Sequence, residues 1–235
     1  MNKSMACVVA VLTTLGTSLS VQAAPGPRWN VTATGKIDYG SDTSGIFGTA
    51  NANLSGLTYS QTITASVDPS QWSASGNSSY QSAVDGSGPE FTDTVTVSGH
   101  SITYTATTIS GDQYISDGAS QYAHGSYDEI FSVQEGNTSS GETLYAYAYA
   151  DSYDTRFVPG VSFAQTISQT LNGSFETYSL FSLSSRDGTI TYFEGTPSSI
   201  AINISAVPES GVPTMMITGL GMLGFIRHRK ARKAV

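Results

Sequence analysis

The chain has 235 residues, 39% of them hydrophobic and only 12% charged, with a formal net charge of −8. Between residues 24 and 206 the cations are Arg28, Lys36, Arg156 and Arg186 against 17 acidic residues, a net of −13; such a surface excludes nucleic acid, whose phosphates need cations, and repels anionic lipid. The single cysteine, Cys7, lies near the N-terminus, so the body carries neither a disulfide framework nor a thiolate metal site.

The first element is a signal peptide. Lys3 is its positive end, residues 6–15 are its apolar core, and Val21-Gln22-Ala23 places small residues where cleavage needs them. The reading is a signal peptide over residues 1–23, cut after Ala23 and exported through the Sec translocon.

Residues 24–206 form the body. They are rich in Ser, Thr, Gly and Tyr and poor in Leu, Lys and Glu, which disfavours helix and favours short strands with polar turns. Gly40-Ser41-Asp42-Thr43-Ser44-Gly45-Ile46-Phe47-Gly48 reads as a turn-rich loop whose Phe47 plugs the end of a core. It resembles openings found in secreted bacterial β-rich proteins. Alternation then marks strands at Leu57, Tyr59, Ile63, Ala65 and Val67, and a hairpin in which Val95 and Val97 precede Ser98-Gly99-His100-Ser101 and Ile102, Tyr104 and Ala106 follow. Tyr127, Glu129, Phe131 and Val133 alternate, as do Tyr145, Tyr147 and Tyr149. Phe163, Ile167, Leu171, Phe175, Phe181, Leu183, Ile190 and Tyr192 continue the pattern, and Ile200, Ile202 and Ile204 form the last strand. On the order of ten strands without an amphipathic helix predict an all-β, antiparallel β-sandwich, jelly-roll-like or another Greek key.

Chemistry is sparse. Gly99-His100-Ser101 mimics the start of a nucleophile elbow, but Thr103 stands where that motif has glycine, and the segment is a turn between strands. Glu129, Glu142, Glu176 and Glu194 are the acids from which a glycosidase pair would be drawn. A structural calcium would take its oxygens from Asp38 with Asp42, Asp85 with Glu90, or Asp151 with Asp154; otherwise no cofactor and no metal site is expected. Tyr145, Tyr147 and Tyr149 share one face of a strand, with Ala146, Ala148 and Ala150 on the other. They are the candidate carbohydrate-binding residues, with Asp151 and Asp154 as nearby acceptors; alternatively the rings simply pack over the sheet and leave a wet hydroxyl edge. Trp29 and Trp72 read as core or edge plugs.

The tail, residues 207–235, has three parts: Val207-Pro208-Glu209-Ser210, an apolar helix over residues 212–226, and a basic end of Arg227, Arg229, Lys230, Arg232 and Lys233. An apolar helix followed by cations is a stop-transfer arrangement. As a helix the apolar run spans about 22 Å, short of the roughly 30 Å hydrocarbon core. Together these parts resemble a PEP-CTERM sorting domain, with Ser210 where that family usually has a second proline. The resemblance implies an exosortase-type enzyme as partner, transient inner-membrane anchoring with the body outside the cytoplasm, and a final place at the cell surface or in the extracellular matrix, where such proteins accompany polysaccharide and biofilm. The expected function is a non-enzymatic structural or adhesive module associated with polysaccharide; the alternative is a secreted, glycoside-hydrolase-like enzyme carrying the same tail.

Overall fold

A computed structural model describes residues 27–66, 73–75, 78–84, 90–121, 125–162 and 164–205. The expected signal peptide and the whole of the expected sorting tail, with Val207–Ser210, the helix expected over 212–226 and the basic end, lie outside the described residues, as do Trp72, Asp85 and Phe163. The strands belong to one compact unit, Pro25–Glu209.

Twelve strands are described: β1 (Arg28–Asp42), β2 (Ala52–Asn53), β3 (Thr58–Ser66), β4 (Ser73–Ser75), β5 (Ser78–Val84), β6 (Glu90–Val97), β7 (His100–Gln121), β8 (Gly125–Thr138), β9 (Thr143–Ser152), β10 (Ile167–Thr170), β11 (Glu176–Ser184) and β12 (Ile190–Ser205). Eight of them, β1, β3, β6, β7, β8, β9, β11 and β12, pair antiparallel in that order. The circle closes where β12 pairs β1, from Arg28↔Ser205 to Ser41↔Tyr192. The fold is therefore a closed eight-stranded barrel, which overturns the expected sandwich. A sandwich leaves each sheet with two edges; here the first and last strands satisfy each other's backbone groups along nearly their whole length. The remaining strands decorate the wall: β4 and β5 extend from the far half of β7, β10 adds to the end of β12, and β2 to the end of β1.

The expected hairpin is present. β6 and β7 join through Ser98-Gly99, both at positive φ (48° and 89°), as a two-residue turn between twisted strands requires.

The interior is filled with side chains, as in other small barrels. At one end Tyr59, Phe193, Phe181 and Phe47 form a connected run of rings, with centroids 5.0 Å apart for Tyr59–Phe193 and 5.8 Å for both Phe181–Phe193 and Phe47–Phe181. Phe47 is held there by Asp42, whose buried carboxylate accepts hydrogen bonds from the amides of Ile46 (2.9 Å) and Phe47 (2.8 Å). The plug role expected for Phe47 is thus built by the loop itself. At the opposite end Asp128, also buried, accepts from the amides of Gly118, Phe157 and Val158 and pairs with Arg156. That clamp seats Phe157 against Phe175, centroids 5.3 Å apart.

The strands sort their side chains between the inside and the outside of the barrel. On β8 the buried residues are Ile130, Ser132 and Gln134, while Phe131 and Val133 face out. On β9 Ala146, Ala148 and Ala150 are wholly buried and the tyrosines face out. On β12 Thr191 and Phe193 point in, and Ile190 is 45% exposed. Along β9 the closed barrel has little room, so the alanines take the inside and the tyrosines the outside. On β12 the phase changes between Phe193 and Ile200 because the β1–β12 register shifts between Thr34 and Gly35. Trp29 is a core residue, wholly buried, as the sequence suggests.

Candidate functional site: a tyrosine and carboxylate wall

The outside of the barrel is divided chemically. Over β1, β3, β6 and the start of β7 it is a hydroxyl surface, with Thr32 bonded to Thr62 and Thr94 to Thr103, both at 2.9 Å across strands. Over β8, β9 and β11 it is aromatic. Tyr147 stands at the centre, edge-on to Phe131 (5.3 Å, 85°) and to Tyr178 (5.4 Å, 68°), with Tyr149 at 6.4 Å. The sequence brought Tyr145, Tyr147 and Tyr149 together correctly, because neighbours at i and i+2 share a face. It missed Phe131 and Tyr178, which join them from the two flanking strands at Phe131↔Tyr149 and Tyr178↔Tyr149. Only the register shows this, and nothing local in the sequence encodes it.

Carboxylates edge the aromatic field. Glu129 lies opposite Asp151, and Asp151 opposite Glu176, so three acids make a row across β8, β9 and β11. Burial and then the charge of Asp151 push the Glu129 carboxyl up to about 7. Burial also raises Asp151, against a lowering hydrogen bond from Tyr149. At the other edge the Tyr39 hydroxyl donates to Glu194, which also raises the Tyr178 phenol after burial has done so. Burial pushes Tyr147 up to about 12, and it raises Tyr145 and Tyr149 as well. All these phenols are therefore neutral hydrogen-bond donors at physiological pH. The wall offers π faces, hydroxyl donors and carboxylate acceptors side by side, the chemistry that a sugar's C–H face and hydroxyls complement.

The other candidates fare differently. Asp42 is buried and spent on loop amides, whereas Asp38 is exposed and accepts from Thr196 (2.7 Å), so the two do not converge. Asp151 is buried and Asp154 exposed. Among the described residues no group of three His, Cys, Asp or Glu is arranged to hold a metal ion. Glu142 is occupied by Thr138 and Ser140 in the β8–β9 turn, which holds its carboxyl below the usual range. His100 opens β7 directly after the two-residue turn, a geometry unlike the strand-to-helix turn of a nucleophile elbow. No family model, curated protein or solved structure matches the chain.

Proposed function

We propose that the chain is an exported surface or extracellular-matrix protein, sorted by its C-terminal tail, whose barrel is a non-enzymatic module that binds polysaccharide through the tyrosine wall. The observation that carries the binding role is the Tyr147 cluster, with Phe131, Tyr149 and Tyr178 around one ring and Glu129, Asp151 and Glu194 at its margins. A closed barrel suits a surface module: it has no free sheet edge around its circumference and needs no disulfide. Replacing Tyr147 by Ala in the full chain is expected to cut retention on insoluble polysaccharide at least five-fold while the circular dichroism spectrum stays the same. Retention that does not change with this substitution overturns the wall as the binding surface. The sorting role is tested by mass spectrometry of the protein from membrane and extracellular fractions. Loss of everything beyond the Val207–Ser210 region is the expected result, and an intact chain ending at Val235 contradicts it.

A glycosidase reading draws on the Glu129–Asp151 pair, since a carboxyl raised to about 7 beside a second acid is how such enzymes prepare a proton donor. Against it, Asp151 is only 4% exposed, and neither acid lines the cleft at Leu171 and Phe175 or the one at Phe157 and Ile167. Hydrolysis of a polysaccharide that is lost in Glu129→Gln would favour that reading.

A further inference from the structure

We infer that a second saccharide site, separate from the tyrosine wall, lies in the cleft where β12 changes partners, and that it takes a single unit of a neutral sugar. β11 pairs β12 only as far as Ser179↔Gly195, and β10 takes over from Thr170↔Ser199. Residues 196–198 of β12 therefore have no full strand partner on that side, although the Leu171 amide bonds the Ser198 carbonyl at 2.8 Å. On the other side the seam is bulged at Gly35, where any side chain would collide with the Thr196 backbone. The result is a cleft of about 680 Å³, within the size range of small-ligand sites.

Its lining is mixed in a particular way. Leu171, Phe175 and Pro197 are buried and supply apolar surface for a sugar ring's C–H face. Lys36 and Asp38, two residues apart and both exposed, supply one ammonium and one carboxylate. One Asp38 oxygen accepts from Thr196, and the ammonium of Lys36 forms no ion pair among the described residues. A donor and an acceptor of opposite charge, with no net charge between them, match adjacent hydroxyls that give one hydrogen bond and accept another. A polyanion would meet the repulsive field of a body carrying −13, a cost that a neutral saccharide does not meet.

This inference shares the saccharide chemistry of the proposed function but none of its residues. The test is calorimetric titration of the full chain with a neutral trisaccharide and with a trisaccharide of uronic acids. The neutral probe is expected to bind, Asp38→Asn and Lys36→Met are each expected to weaken it ten-fold or more, and Tyr147→Ala is expected to leave it unchanged. Both cleft positions are exposed, so the thermal midpoint checks that those variants remain folded. No binding of the neutral probe, tighter binding of the uronate probe, or loss of binding in Tyr147→Ala equal to that in the cleft variants overturns the inference. The last result would leave the wall intact as a site. Polysaccharide retention lost in Tyr147→Ala with trisaccharide binding lost only in the cleft variants sustains both.

Discussion

Asp93 shows how a single residue couples the barrel interior to pH. It is wholly buried on β6; one carboxylate oxygen accepts from Gln61 Nε2 at 2.8 Å and the other finds no hydrogen-bond partner. Gln61 in turn accepts from Ser179 at 2.6 Å, so a polar trio sits within the core. Burial pushes the Asp93 carboxyl from 3.8 up to about 8, opposed by the Gln61 hydrogen bond. Between those values the folded chain holds a proton that the unfolded chain releases. Stability from this group is complete below pH 3.8, falls as pH rises toward 8, and levels off above it. Glu129 adds a slope of the same sign between 4.5 and about 7. Asp93→Asn, neutral at every pH, is expected to flatten the profile and to exceed the parent at pH 8 by on the order of a few kcal/mol. Urea unfolding at pH 5 and pH 8 measures both; an unchanged difference between the two pH values would refute the assignment. Nothing in the local sequence marks Asp93 as buried, because Thr-Asp-Thr in a strand reads equally well with the acid facing out.

At the scale of elements, two acidic clamps tie loops to the ends of the barrel, where a disulfide would otherwise serve. Asp42 closes a loop at one end of the barrel and Asp128 gathers the β7 bulge, Arg156 and the chain after β9 at the other. The Asp42 clamp was partly legible, since the Gly and Asp pattern before Phe47 announces a turn with a plug. The Asp128 clamp was not, because its partners Phe157 and Val158 lie 29 and 30 residues downstream. Asp128→Ala would leave three amides without their acceptor and Arg156 without its ion-pair partner. A loss of about 3–5 kcal/mol is expected, read as a lower urea midpoint at constant m-value. Hydrogen exchange should rise at Gly118, Phe157 and Val158 while the Phe47 loop stays protected. Uniform exchange over the whole chain would mean that the clamp is not a local device.

For the whole molecule, closure is the decisive contact. β1 and β12 begin near opposite ends of the described chain, and Thr34 bonds Ser199 across a separation of 165 residues. The other barrel contacts close shorter loops: β6–β7, β7–β8, β8–β9 and β11–β12 join consecutive strands, and β1–β3, β3–β6 and β9–β11 span only short intervening strands, so the seam closes by far the longest loop. A non-local β topology of this kind is expected to refold in the millisecond-to-second range. Stopped-flow refolding followed by tryptophan emission reports it, since Trp29 sits buried in the seam at Trp29↔Ile204. Refolding within microseconds would contradict seam formation as the limiting event.

Composition and alternation by themselves determined that the body is all-β, that a hairpin turns within residues 98–101, and that Tyr145, Tyr147 and Tyr149 share a face opposite three alanines. These are properties of a few consecutive residues, where a strand's period of two decides the outcome. Only the tertiary structure decided that the sheet closes into a barrel and that Phe131 and Tyr178 complete the aromatic wall. The same alternation serves a sandwich and a barrel; the choice rests on whether the first and last strands meet, and on how much volume a closed ring of eight strands leaves for side chains.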